Sequence, residues 1–488
     1  MVFSSHVFVF YFLPLALLLY YSLYKAPQRA RNFSLVVLGY IFYGWANPRF
    51  VFLMFGTTFV DWLLSLVIAQ DRWGFLRTRN VEVLEPGSRS RRQRTALTLS
   101  IVSNLTMLGF FKYFNFGVDT YNSLMAAMGF HHLEWSTFFR VTLPLGISFY
   151  TFQSMSYIID VYRGEAKAMR NFIDFSCFVS MFPHLVAGPI LKFSYLADQL
   201  ESRVLTFDKF ARGSSFFMLG MAKKIILANS CGKVAELCFN AGSLHPVDAW
   251  YGAISYALQI YFDFSGYSDM AIGLGLMLGF VFARNFDSPY RADSITDFWR
   301  RWHISLSTWL REYLYIPLGG NRKGKARTYV NLIVTMLLGG LWHGAAWNYI
   351  IWGGIHGGML AFERTQGKTS PYKRLPRGIR VITTFLVVVM AWVFFRSGSL
   401  VRAISYLGCM VGLAHPQSGA NLLGGILYQP YYLILTVVAV IVTWLLPDTW
   451  EFTQNLTWHR AIVCVVLFTV ALVLLCTQSY NPFIYFIF

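Results

Sequence analysis

The chain has 488 residues, of which 56% are hydrophobic and only 13% are charged. A soluble globule of this size needs more polar surface, so the composition excludes one and predicts an integral membrane protein. The net charge of +18 does not indicate nucleic acid as a partner. The basic residues lie between apolar stretches, as in cytoplasmic loops of membrane proteins, where they contact lipid headgroups.

Apolar stretches of a length that suits a bilayer crossing recur along the chain, and we expect roughly 10–12 membrane helices. The first stretch lacks a basic region and a cleavage site, so we interpret it as a retained helix and not as a signal peptide. The basic run from Lys25 to Arg31 follows it, which predicts a periplasmic N-terminus. The clearest stretches are Val7 to Tyr24, Phe50 to Ala69, Val381 to Phe395, Tyr431 to Leu446 and Ala461 to Cys476.

Residues 72–95 are the clearest polar segment, rich in Arg and Ser with Pro86 and Gly87, and they predict a basic cytoplasmic loop. The remainder reads as one all-α membrane domain over residues 1–488, without internal repeats. The 6 cysteines contain no C-x-x-C pair. The sequence therefore predicts neither a disulfide framework nor a metal site.

Three segments between residues 261 and 362 interrupt the pattern of simple spans, and we predict that this is the catalytic region. The first contains Asp263 and Asp269 within apolar sequence. A carboxylate in hydrocarbon is costly, so both need a partner or a water-filled cavity. Pairing with basic residues as structural pins is the favoured interpretation. A direct role in catalysis is the alternative.

The second segment, from Asp297 to Tyr315, is too charged for the bilayer centre and too aromatic for water. It therefore predicts a helix at the membrane interface. His303 lies within it beside several hydroxyl side chains. A histidine at the mouth of a cavity can orient a group or relay a proton, which makes His303 a candidate site residue.

The third segment, from Tyr329 to Phe362, is too long for one span and contains several glycines. Glycine weakens a helix interior and lets another backbone come close, so we predict two short helices that break around Trp342-His343-Gly344. Irregular backbone at membrane depth survives only where protein buries it or a cavity hydrates it. His343 is therefore predicted to lie beside a cavity inside the membrane.

A neutral imidazole, with a reference pKa of about 6.5, can accept the proton of a hydroxyl that attacks a carbonyl carbon. No nucleophile elbow, P-loop or dinucleotide fingerprint competes with that chemistry. His343 is therefore the candidate general base of an acyl transfer. From the residues alone, a transporter or channel remains possible, because broken helices and intramembrane acids also line permeation paths.

The ordered motifs resemble the membrane-bound O-acyltransferase family, most closely its branch that acetylates bacterial alginate. The resemblance spans nearly the whole chain. It is carried by Ile147-Ser-Phe-Tyr, Asp263 to Asp269, Asp297 to Tyr315, Pro317 to Gly324 and Leu338 to Gly344.

The resemblance implies a ring of membrane helices around a central tunnel, with additional re-entrant and interfacial helices, in the bacterial inner membrane. It implies His343 and His303 as catalytic residues and a cytoplasmic acyl thioester, acetyl-CoA, as the donor, with no permanently bound cofactor. Arg300, Arg301 and Arg311 are candidates for contacts with the phosphates of the donor.

The same resemblance implies that acetyl groups pass to periplasmic acetyltransferase partner proteins, which modify a secreted polysaccharide such as alginate. Acetylation of cellulose or peptidoglycan and carrier-dependent D-alanyl export are the alternatives within the family.

Overall fold

The computed structural model describes residues 1–73, 82–135, 139–242, 244–367, 371–413, 420–478 and 480–484. Across these ranges the secondary structure is helical, without strands, which confirms the prediction of an all-α protein. Residues 74–81, which belong to the predicted basic loop 72–95, lie outside the described residues. The end of that loop is helical, because a helix begins at Arg91 with a capping box formed by Ser90 and Gln93.

The chain divides into two compact units. The first comprises Met1–Phe207 and Leu278–Phe282, and the second comprises Asp208–Met277 and Ala283–Phe488. The helices of the first unit are α1 (Leu13–Ser22), α2 (Gln28–Gly44), α3 (Arg49–Gln70), α4 (Arg91–Ala127), α5 (Ile147–Arg163), α6 (Phe172–Ser180) and α7 (Phe193–Glu201).

The second unit carries all the candidate site residues. Its helices are α8 (Phe207–Ala222), α9 (Asn229–Asn240), α10 (Pro246–Met277), α11 (Ile295–Arg301), α12 (Ile304–Leu310), α13 (Lys325–His343), α14 (Trp347–Gln366), α15 (Pro371–Arg374), α16 (Arg377–Arg396), α17 (Leu400–Met410), α18 (Ala420–Leu427), α19 (Pro430–Trp444), α20 (Thr449–Phe452) and α21 (Trp458–Thr477). Wider π-helical turns follow α8 at Lys223–Ala228 and α12 at Arg311–Tyr315.

The five apolar stretches that the sequence marks as the clearest spans are all helical. Within the described residues, 4 helices are long and apolar enough to cross a membrane: α3, α4, α16 and α21. The other two stretches form shorter apolar helices, Phe8–Ser22 and Pro430–Trp444. The apolar helices agree with a polytopic membrane protein. The expected number of membrane helices and their arrangement around a tunnel stay predictions.

Helices α13 and α14 form an antiparallel pair that breaks where the sequence predicts it. Helix α13 ends at His343, Gly344 is extended with φ −164°, and α14 begins at Trp347. The other glycines lie inside the helices and bring them together. A Cβ atom at Gly340 would overlap the carbonyl oxygen of Tyr349, and one at Gly353 would overlap that of Met336.

The aromatic and basic segment from Asp297 to Tyr315 is not the single helix that its pattern predicts. Helix α11 ends at Arg301, Trp302 is extended, and His303 has φ 45° and ψ 54°, the left-handed region, before α12 begins at Ile304. A non-glycine residue in that region is uncommon and requires support from its surroundings. His303 therefore lies in a sharp break between two short helices.

The carboxylates of Asp263 and Asp269 are both paired with basic residues, as the structural interpretation predicts. They lie on α10 and bind consecutive lysines of the π-helical turn. Lys224 Nζ lies 2.8 Å from Asp263 Oδ1, and Lys223 Nζ lies 2.7 Å from Asp269 Oδ2. The hydroxyl of Thr449 donates a second hydrogen bond to Asp269 at 2.6 Å. The two ion pairs tie α10 to the π-helical turn Lys223–Ala228.

Candidate active site

His303 is completely buried in the second unit. Its ring meets the ring of Phe264 edge-on, with a centroid distance of 4.6 Å, and lies parallel to Phe286 at 6.5 Å. Neither of its ring nitrogens has a hydrogen-bond partner among the described residues. Buried polar atoms are nearly always hydrogen-bonded, so an exception of this kind marks a site where a ligand or substrate can supply the partner.

His343, which is 6% exposed, ends α13 in an aromatic enclosure. The rings of Trp342, Trp352 and Phe395 surround it at centroid distances of 5.0, 5.2 and 5.3 Å, all three close to edge-on. The imidazole ring of His343 lies at the C-terminal end of α13, and the helix ends there because Gly344 is extended. Apolar walls of this kind exclude water from the imidazole.

The structure brings the two candidate histidines together. Their ring centroids lie 6.3 Å apart, and the ring of Trp342 lies 6.2 Å from that of His303. They come from separate breaks, one between α11 and α12 and one between α13 and α14. Two histidines at this separation can contact one small acyl group from two sides.

The three candidate arginines make different contacts. Arg301 Nε binds Asp297 Oδ2 at 2.9 Å, so it stabilises its own helix. Arg311 is 63% exposed and binds Glu312 at 3.1 Å. Arg300 lines a cavity of about 470 Å³ and has no carboxylate partner among the described residues.

That cavity lies between the N-terminus of α11, the C-terminal end of α14 and the start of α16. We call it the basic cavity, because its lining includes Arg300, Arg364, Lys373 and Arg380. Its volume is within the range of small-molecule and cofactor sites.

Two carboxylates in the lining of the basic cavity are engaged in other contacts. Asp293 binds Arg380 at 2.7 Å. Glu363 accepts hydrogen bonds from the backbone of Ile295 and Thr296 at 2.6 and 2.9 Å, and from the Thr296 hydroxyl at 2.7 Å. The lining holds four basic side chains against these two carboxylates, so its net charge is positive and suits an anionic ligand.

A row of rings leads from the basic cavity towards His343. Met359 lines the cavity, and His356 lies one turn earlier on α14. The Nε1 of Trp299 donates a hydrogen bond to His356 Nδ1 at 3.3 Å. The ring of Trp352 then contacts both His356, at 4.9 Å, and His343, at 5.2 Å. These rings lie between the basic cavity and the paired histidines.

Sequence patterns did not single out Glu363, Arg364, Lys373 or Arg380 as residues that share a cavity with Arg300. The spacing of these residues along the sequence does not indicate that they lie close together in the fold. A weak one was present in the run of basic residues from Lys368 to Arg380, which the positive-inside rule explains equally well.

Known proteins resemble this chain over its whole length. A family model described as MBOAT, membrane-bound O-acyltransferase family, matches residues 163–401, a range that contains both histidines and the basic cavity. The chain is 45% identical to the Probable alginate O-acetylase of Pseudomonas putida, with 100% of both chains covered. The chain belongs to the membrane-bound O-acyltransferase family.

Two further relatives widen the comparison. The Probable alginate O-acetylase of Pseudomonas aeruginosa is 49% identical over 82% of this chain and 73% of its own. The Peptidoglycan O-acetyltransferase of Helicobacter pylori is 32% identical, with 100% of this chain and 98% of its own covered. The protein is accordingly a membrane acyltransferase. Its family membership argues against the alternative of a transporter or channel.

Proposed function

We propose that this protein is an inner-membrane O-acetyltransferase that takes acetyl groups from cytoplasmic acetyl-CoA and exports them for the O-acetylation of alginate. The observation that carries the proposal is the pair of buried histidines. The ring centroids of His343 and His303 lie 6.3 Å apart, and neither ring nitrogen of His303 has a hydrogen-bond partner among the described residues. The membrane O-acyltransferase family supplies the reaction class.

The reaction is an attack of a hydroxyl oxygen on the thioester carbonyl carbon. A C–O bond forms, the C–S bond breaks, and the thiolate leaves. In the proposal, His343 accepts the hydroxyl proton and returns it to the departing sulfur. His303 hydrogen-bonds the carbonyl oxygen on which negative charge develops. Aromatic walls keep water away from the thioester, so hydrolysis does not compete.

The basic cavity is the proposed site of the donor's phosphates. Arg300 and Arg364 are without carboxylate partners in the described part of the chain, and Arg380, which binds Asp293, also lines the cavity. Arginine binds phosphate with paired, charge-assisted hydrogen bonds. Trp299, His356 and Trp352 mark the direction that the thioester arm takes towards His343.

The proposed acceptor is alginate, reached through periplasmic acetyltransferase partner proteins. The support is the degree of similarity: relatives named alginate O-acetylase are 45% and 49% identical, whereas the peptidoglycan enzyme is 32% identical. In the proposal the N-terminus is periplasmic, because the first basic run follows the first apolar helix.

Labelled acetyl-CoA, incubated with membranes, partner proteins and alginate, tests the proposal. Wild-type protein is expected to produce labelled alginate. His343→Ala should reach the membrane in normal amounts and produce none, and the matched control His459→Ala, at an exposed histidine, should behave like wild type. Normal acetylation by His343→Ala would refute the proposed role. Label that transfers only from a carrier-bound thioester, or only to peptidoglycan or cellulose, would refute the donor or the acceptor.

A second measurement tests the basic cavity. Arg300→Ala should raise the KM for acetyl-CoA by about tenfold, the loss expected for one charged hydrogen bond, and leave kcat nearly unchanged. Arg322→Ala is the control, since Arg322 is exposed and outside the cavity. An unchanged KM for Arg300→Ala would place the phosphates elsewhere.

A further inference from the structure

His303 has a backbone conformation that its own side chain does nothing to stabilise. Its φ of 45° lies in the left-handed region, which is strained for a residue with a Cβ atom. Its two ring nitrogens make no hydrogen bond within the described residues. Strain of this kind persists only where neighbouring structure imposes it, so the residues that impose it decide where the ring points.

The structure shows what imposes it. The carbonyl oxygen of Asn285 accepts a hydrogen bond from the backbone N–H of Ile304 at 2.9 Å. The side-chain oxygen of Asn285 accepts two more, from the backbone N–H of Ser305 at 3.2 Å and from its hydroxyl at 2.9 Å. Asn285 thus accepts three hydrogen bonds, which fix the chain immediately after His303.

The segment before His303 is held by the same stretch of chain. The backbone N–H of Asp287 donates to the carbonyl oxygen of Arg301 at 2.9 Å. The Nη1 of Arg301 in turn donates to the carbonyl oxygen of Asp287 at 3.3 Å. Residues 285–287 therefore clamp the chain on both sides of His303.

From these contacts we propose that Asn285 is a positioning residue that holds His303 in its left-handed conformation and so directs its ring at His343. Asn285 is 1% exposed, and its side-chain oxygen carries the positioning, because its Nδ2 atom has no partner among the described residues. The inference rests on the proposed function, in which His303 contacts the reacting carbonyl.

The experiment compares three variants in acetyl transfer per folded enzyme, after detergent extraction and a thermal unfolding measurement. Asn285→Ala removes the side-chain acceptor, leaves the backbone carbonyl of residue 285 in place, and should lower kcat by about 10²-fold, the effect of a catalytic group displaced by about 1 Å. The KM for acetyl-CoA should change little. Asn285→Asp keeps an acceptor oxygen for Ser305 and should recover most of that loss. Ser305→Ala removes one of the two side-chain bonds and should give an intermediate kcat.

Asn331→Ala is the matched control. Asn331 is also 1% exposed, and its Nδ2 donates to the carbonyl oxygen of Gly320 at 3.1 Å, away from His303. It should lower the unfolding temperature without lowering kcat per folded enzyme. A kcat of Asn285→Ala within roughly threefold of wild type, or an Asp variant as poor as the Ala variant, would overturn the positioning role.

His303→Ala, measured beside them, separates the two proposals. A fully active His303→Ala overturns the proposed role of His303 itself. An inactive His303→Ala together with a fully active Asn285→Ala overturns the positioning role alone. Loss of kcat in both, with recovery in Asn285→Asp, supports the positioning role.

Discussion

Lys224 and Asp263 are each 2% exposed, so both charges of this ion pair are removed from solvent and depend on each other. Lys224 also donates to the carbonyl oxygen of Pro482, and the other oxygen of Asp263 accepts from the N–H of Ile484 at 2.9 Å. The pair thereby fixes the chain near residue 484 to α10. Removal of one partner from a buried pair leaves an uncompensated charge, which costs about 3–5 kcal/mol.

Lys224→Met should therefore lower the amount of folded protein in the membrane strongly, and the double variant Lys224→Met with Asp263→Asn should recover most of it. The check is the yield and unfolding temperature of detergent-extracted protein. The half-buried pair of Lys233 and Glu236, 3.6 Å apart, serves as the control, since Lys233→Met should have a much smaller effect.

The double variant also decides between the two interpretations of Asp263. As a structural pin, Asp263 becomes dispensable once its charge and its partner are both removed, so acetyl transfer per folded protein should be near normal. A double variant that folds but is inactive would mean that the carboxylate takes part in the reaction.

At this scale the sequence was informative where a residue is unusual in its own surroundings. His343 follows a glycine-rich run, and Asp263 lies in apolar sequence, so both are recognisable without a structure. Asn285 and Glu363 give no such signal. Each acts on backbone groups of a different segment, and only the folded chain brings those groups within hydrogen-bonding distance.

At the scale of elements, the close contact between α13 and α14 sets the position of His343. The two helices approach through glycines whose missing side chains leave room for the opposite backbone. Helix α14 contains one glycine that lies against the opposite backbone and another that has no neighbour there, so substitutions at the two positions can be compared. A Cβ atom at Gly353 would overlap the backbone of Met336, whereas one at Gly358 would meet nothing within 4 Å.

Gly353→Ala is expected to push α13 and α14 apart, lower the unfolding temperature and reduce acetyl transfer at least tenfold, because displacement of about 1 Å at His343 costs about 10²-fold. Gly358→Ala should be neutral or stabilising by up to about 1 kcal/mol, since alanine favours a helix more than glycine does. Thermal unfolding and acetyl transfer on the same preparations provide the check. Equal behaviour of the two variants would show that the helices do not depend on this close approach.

The two helix breaks differ in how far the sequence could predict them. Gly344 and its neighbouring glycines predict the break after α13, and the structure confirms that break. No glycine or proline marks the break at His303. The chain after it donates three hydrogen bonds to Asn285, and tertiary contacts of this kind can override the helical pattern of the surrounding aromatic and basic residues.

At the scale of the whole molecule, two basic runs of the second unit lie where α13 and α16 begin. Helix α13 begins directly after the basic run from Arg322, and α16 begins at Arg377. His343 and Phe395 lie at the opposite ends of the same helices, about 27 Å from the start of α13 at 1.5 Å per residue. Basic ends face the cytoplasm by the positive-inside rule, so the paired histidines are predicted to lie nearer the periplasmic side.

Cysteine labelling tests this topology. Among the described cysteines Cys476 alone is exposed, so Cys476→Ser gives a background with little reactivity. In that background, Gly398→Cys and His6→Cys should react with a membrane-impermeant maleimide in sealed spheroplasts. Lys323→Cys should react only after the membrane is disrupted. All three positions are exposed, so a difference in labelling reports the side of the membrane and not burial. Labelling of Lys323→Cys in sealed spheroplasts would show that the topology is the reverse of the predicted one. The basic cavity would then lie on the periplasmic side, out of reach of cytoplasmic acetyl-CoA.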